Sequence, residues 1–90
     1  MSGEHDKLRQ ALADLKTHLE ELREIDPAVA AHMDTTLAEA QNVLKSEPQG
    51  EERQNVSEQL NDAMLHYEAS HPTLAGNLRS VIDALAQIGI

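Results

Sequence analysis

Residues 70–78, "SHPTLAGNL", set a proline and a glycine inside a run that otherwise keeps helical spacing. A proline in a helix interior removes a hydrogen bond and clashes one turn back, which costs about 3 kcal/mol or more; at the first helical position it costs nothing. The apolar pattern also breaks here. Beyond the proline, Leu74, Leu78, Val81, Leu85 and Ile88 recur at alternating steps of four and three. The stripe upstream, carried on from Tyr67 as a strict heptad, would place Asn77 rather than Leu78 on the apolar face. The stretch therefore reads as a tight turn, with Ser70 or His71 capping a new helix over about 72–88. Gly76 falls inside that helix, where it is disfavoured by about 1 kcal/mol relative to Ala. A glycine in such a place predicts close backbone approach by a neighbour.

Working outward, the N-terminal half carries a matching signal. Leu8, Leu12, Leu15, Leu19 and Leu22 trace one narrow stripe, with charged and polar residues on the other faces. This predicts a helix over about 4–24, with residues 1–3 flexible. It ends at "IDPA", where Pro27 biases Asp26 away from the α region and suits the start of a second helix. Asp26 is placed to cap that helix. Ile25 and Ala30 stand where a hydrophobic staple would join the entering chain to the first turn. The second helix is expected over about 27–46, with a stripe of Ala30, Met33, Leu37, Ala40 and Leu44 flanked by Val29 and Val43. Pro48 and Gly50 then bracket a loop. A third helix is expected over about 51–69, opening on Glu51 and Glu52, which favour the positive end of its dipole, with Val56, Leu60, Ala63 and Tyr67 inward. At the far end Gly89 suits a C-cap and Ile90 a contact back onto the last turn. The fold class is all-α: four amphipathic helices in one domain, arranged as two antiparallel hairpins because the joints at Pro27 and Pro72 are so short.

Composition agrees. Twelve Leu, twelve Ala, a single Tyr and no Phe or Trp favour helices over strands. The formal net charge of −9 repels phosphate backbones and anionic lipid, which argues against nucleic-acid and membrane-surface binding. No apolar run approaches the roughly 20 residues a membrane span requires. The opening "MSGEHDKLRQ" lacks the basic and apolar regions of a secretory signal, and the absence of cysteine excludes disulfides and thiolate metal sites. A cytoplasmic protein, bacterial given its brevity, is expected.

Five histidines invite a metal reading. Carboxylate-bridged di-metal bundles need two Glu-x-x-His motifs plus two further Glu. The chain holds one match, Glu68 to His71, and it straddles the predicted turn. His5, His18, His32 and His66 lack a histidine at i+4 and a Glu three residues before, and read as residues on helix flanks. His18 borders the leucine stripe, where a protonation-sensitive contact competes with an ordinary boundary role. His71 serves first as a cap or turn residue; a ligand-contacting role, with Pro72 and Thr73 in the same turn, is its alternative. No nucleophile motif or phosphate loop is present, so no cofactor and no enzymatic activity are expected. Asn55-Val-Ser57 matches a glycosylation sequon by accident, inside a predicted helix. Acidic pairs such as Glu20-Glu21 read as a solvated face, with nucleic-acid mimicry as a minor alternative.

The stripes of Leu8, Leu12, Leu15, Leu19 and Leu22, and of Leu74, Leu78, Val81, Leu85 and Ile88, have two uses. They are the inner seams of a single-chain bundle, or part of the seam between two chains. Twenty-three large aliphatics and one aromatic make a small core, which leaves a homo-oligomer open.

The run "HYEASHPTLAGNLRSVIDALAQIGI", residues 66–90, resembles a family of short bacterial proteins known as domain of unknown function 4404. The resemblance rests on Tyr67-Glu68, on His71-Pro72-Thr73-Leu74, on Leu78 and Leu85, and on the closing Gly89-Ile90. The opening "EHDKLRQALADLKTHLEEL" with Asp26-Pro27 extends it over most of the chain. It implies a small helical protein without an assigned activity, and transfers no catalytic residues. The residues and the resemblance together point to a non-enzymatic interaction or scaffold module with an unidentified protein partner. The alternative is a small-ligand or metal-binding bundle using His71 with Glu68 and His66.

Overall fold

The computed structural model describes the backbone of residues 3–45 and 50–87 and the side chains of 6–43 and 54–87. Four helices are present: α1 (Gly3–Ile25), α2 (Pro27–Lys45), α3 (Gly50–Tyr67) and α4 (Pro72–Gln87). Pro27 and Pro72 each occupy the first position of a helix, where the missing N–H would be unsatisfied anyway. At the first joint the Asp26 N–H donates to the Leu22 carbonyl at 2.6 Å, and the Asp26 carbonyl accepts from Ala30 at 3.1 Å. At the second, His71 donates to the Tyr67 carbonyl at 2.7 Å and accepts from Ala75 at 3.0 Å. His71, rather than Ser70, is therefore the residue at the cap position. One helix closes and the next opens around a single residue in both cases.

α3 stops at Tyr67, about two residues short of the span the spacing predicts, and residues 68–70 form a hydrogen-bonded turn. Tyr67 is also the last residue of the apolar stripe, and the turn over 68–70 leads to the pre-proline position His71. Pro48, Ile88, Gly89 and Ile90 lie outside the described residues, as do the side chains of His5, Leu44, Glu51 and Glu52.

The helices form a ring in which α1 packs on α2 and α4, and α3 packs on α2 and α4, and among the described residues no Cα atoms of diagonal helices approach within 8 Å. Among the described residues, the α2–α3 edge is the thinnest of the four and both edges of α4 are the most extensive. Lys7 and Gln10 of α1 border the same groove as Asp83 and Gln87 of α4. His32 of α2 likewise faces His66 of α3. Successive helices thus alternate in direction, and both tight joints lie at one end. The long axis of 35 Å is the length of α1, at about 1.5 Å rise per residue over its 23 residues.

Every stripe faces the middle. Leu15, Leu19 and Leu22 of α1 meet Leu74, Leu78, Val81 and Leu85 of α4, all at 2 % exposure or less, while Leu8 and Leu12 pack partly buried at the margin. α2 contributes Ala30, Met33, Leu37 and Ala40; α3 contributes Val56, Leu60, Ala63 and Tyr67. No helix among the described residues is long and apolar enough to cross a membrane.

Two local expectations are corrected. Gly76 has no neighbour: a Cβ placed on it would meet nothing within 4 Å, because the residue lies on the outer face of α4. Ile25 forms no staple and stands 73 % exposed, whereas Ala30 is fully buried. The α1 stripe steps from Leu22 by four to Asp26, so Ile25 is out of phase with the core.

The two halves of the chain also repeat one plan at an offset of 45 residues (71 − 26 = 45). Ala11 and Val56, Leu15 and Leu60, Leu22 and Tyr67, Ala30 and Ala75, Met33 and Leu78, and Ala40 and Leu85 are corresponding pairs, and both members of each are buried. The joints Asp26-Pro27 and His71-Pro72 correspond in the same way.

Candidate functional site

Where the two joints meet, the inward stripes end in polar residues. Asp26 continues the α1 stripe one step past Leu22, and His71 continues the α3 stripe one step past Tyr67. Each side chain therefore arrives at the mouth of the core from its own hairpin, and they find each other: His71 Nε2 lies 3.3 Å from Asp26 Oδ2. The other carboxylate oxygen, Oδ1, accepts from the Val29 N–H at 3.4 Å, the side-chain cap expected of Asp26. One carboxylate thus caps α2 and ties the first joint to the second. His71 is the better shielded partner, its side chain 20 % exposed against 37 % for Asp26.

Tyr67 sits beneath this pair and makes the second tie. Its hydroxyl lies 2.6 Å from His32 Nδ1 of α2. Three imidazoles surround the phenol ring edge-on: His66 at 4.8 Å between centroids, and His32 and His71 at 6.0 Å each. Tyr67 is 6 % exposed, and its pKa is raised above the ordinary 10.0, first by burial and then by the nearby charge of Asp26. The phenol therefore stays protonated and is available as a hydrogen-bond donor. Among the described residues no buried side-chain nitrogen or oxygen lacks a partner.

Beside the tyrosine, an open groove of about 460 Å³ runs along the thin α2–α3 edge. His32, Thr36 and Glu39 form one wall, and Gln59, Asp62 and His66 the other, with Ala63 as floor. Among the described residues this is the sparsest packing in the bundle, bordered by side chains that carry protons and charge.

A family model described as Domain of unknown function (DUF4404) matches residues 8–90, nearly the whole chain, including both joints and the four residues that bridge them. The chain belongs to the DUF4404 family. No curated protein and no solved structure matches it.

In this DUF4404 chain the residues picked out from sequence divide. His71 is central to the cluster. Pro72 and Thr73 are exposed and contribute the helix start rather than side-chain contacts. Glu68 is exposed in the turn. No group of three His, Asp or Glu among the described residues is placed to hold a metal ion. His18 is partly buried at the edge of α1, with Nδ1 3.7 Å from Glu21 on its own helix. Sequence reasoning treated Asp26 only as a cap, Tyr67 only as core and His32 only as a flank residue. The 45-residue offset gives Asp26 and His71 equivalent places at the starts of α2 and α4, which run in the same direction, but three identities along the chain mark it only faintly.

Proposed function

We propose that this chain is a non-enzymatic helical interaction module, acting in the cytoplasm, whose partner binds the outer faces of the bundle. The observation that carries this reading is where the apolar side chains go. The leucine seams of α1 and α4 are spent against each other inside one chain, at 2 % exposure or less for seven of their residues. What remains outside is a strongly acidic surface interrupted, among the described residues, by two large apolar residues, Ile25 and Leu65, at 73 % and 58 % exposure. Neither contributes to the core, so both are accessible to a partner. The charge of −9 favours a partner with basic patches around an apolar contact. Self-association, if it forms part of this function, uses these same outer faces.

Affinity capture with the tagged chain, run beside Ile25→Asp and Leu65→Asp, tests the reading. A partner retained by the wild type and released by one of the variants supports it. Retention by both variants, or no specific partner, overturns it. Sedimentation addresses the homo-oligomer: a mass that stays at 9.9 kDa as concentration rises removes it.

A further inference from the structure

We propose that His32 and His71 form a proton-operated clasp at the joint end of the bundle. With both rings neutral, the clasp holds α2 to α3 through Tyr67. With both protonated, it loosens that edge while tightening the tie between the two joints.

The geometry that leads here is a pair of histidines with opposite responses to the same proton. His71 faces a carboxylate, Asp26, at 3.3 Å. Protonation turns a hydrogen bond to that oxygen into a charge-assisted one, which is shorter and stronger. His32 faces a neutral phenol at 2.6 Å. Burial keeps the Tyr67 hydroxyl protonated, and with the neutral His32 ring carrying its hydrogen on Nε2 that hydroxyl donates to Nδ1. A proton added to His32 makes both ring nitrogens donors. Tyr67 must then turn its oxygen to accept, and the bond from its own hydrogen to His32 is lost.

From α3, His66, Asp62 and Tyr67 face His32; from its own helix, Glu39 lies in the same groove. Asp62 and Glu39 line the same groove, and no hydrogen bond or ion pair joins either of them to His32 among the described residues. Around His71 the facing groups are Asp26 from the first joint and Tyr67 from α3, with Glu68 in the turn beside it. The remaining nearby pair, Arg23 and Asp34, bonds at 3.0 Å across the α1–α2 edge and lies outside the cluster. Among the described residues the loosened edge is also the thinnest in the ring, so one hydrogen bond is a larger share of what holds it there. Acidification would thus widen the groove between His32 and His66 without separating the joints.

Site-resolved hydrogen exchange on the full chain tests this, with the intrinsic chemical rate divided out and α4 as the internal reference. Between about pH 7.5 and about pH 5.5, the range in which histidines titrate, amides over 30–36 and 60–67 should gain about fivefold in relative exchange rate. Amides over 26–30 and 71–75 should not accelerate. His32→Gln, at an exposed position, keeps the fold and should abolish the α2–α3 response; Tyr67→Phe should abolish it too. Asp26→Asn should leave the α2–α3 response intact and remove the acid protection of the joints. An unchanged α2–α3 response in His32→Gln overturns the proposal, as do joints that loosen in acid alongside that edge.

Discussion

Replacing Gly76 by alanine separates two accounts of the helix that holds the bundle together. If a neighbouring backbone crossed close to Gly76, as an interior glycine suggests, a methyl group would clash and the protein would lose stability. The structure predicts the reverse. The residue is on the solvent face of α4, and an added Cβ meets no atom within 4 Å. The substitution then leaves every tertiary contact in place, including the Ser80 hydroxyl donating to the residue 76 carbonyl at 3.2 Å. It removes backbone freedom from the unfolded chain and improves helix propensity, worth about 1 kcal/mol together. In a domain of this size that raises the melting temperature by about 4–8 °C. In urea the midpoint should move up by roughly 0.5–1 M with unchanged slope, since the area exposed on unfolding stays the same. Circular dichroism reads both. Ala75→Leu, one residue earlier and 6 % exposed, is the contrasting case and should cost about 1–3 kcal/mol by overpacking. A destabilised Gly76→Ala would mean that α4 is rotated about its axis, and the burial of Leu74, Leu78 and Leu85 would fall with it.

Three further outcomes are expected. Leu85→Ala deletes a fully buried side chain at the α1–α4 contact and should cost about 3–5 kcal/mol, measured by chemical denaturation, enough to unfold much of a small domain. Asp26→Ala removes the α2 cap and the partner of His71 together, and should cost about 1–2 kcal/mol by the same measurement, most of it recovered in Asp26→Asn, which keeps an acceptor. The raised pKa of Tyr67 favours the folded state while the phenol is protonated. That contribution is complete below the ordinary value of 10.0 and is lost as pH rises through the higher folded value. Wild type should therefore lose more stability than Tyr67→Phe above about pH 10, and because Tyr67 is the chain's single tyrosine, phenolate absorbance follows its ionisation directly.

Helix starts were legible because proline acts locally. Pro27 and Pro72 forbid interior positions through their own rings, and the leucine spacing on either side agreed. The inward faces were legible for the same reason, as periodicity along one chain segment. Errors came where the outcome depended on another segment. Gly76 reads as a close-packing residue until its face is known. Ile25 looks like half of a staple until Leu22 and Asp26 fix the phase of α1. Tyr67, Asp26 and His32 each had an adequate local explanation, and that hid their association. The internal repeat was hidden too: at the 45-residue offset only Leu15 and Leu60, Pro27 and Pro72, and Ala30 and Ala75 are identical, whereas the burial pattern matches along both halves.

Alone, the sequence determined four amphipathic helices, their directions at two proline joints, and an acidic exterior. These follow from backbone sterics, side-chain periodicity and charge, which operate within a few residues. Only the tertiary structure decided that the two joints lie against each other, so that Asp26 meets His71 and Tyr67 meets His32. Those partners are 45 and 35 residues apart along the chain. Contacts over such separations are set by how the helix faces pack around a shared core, and no local pattern encodes them.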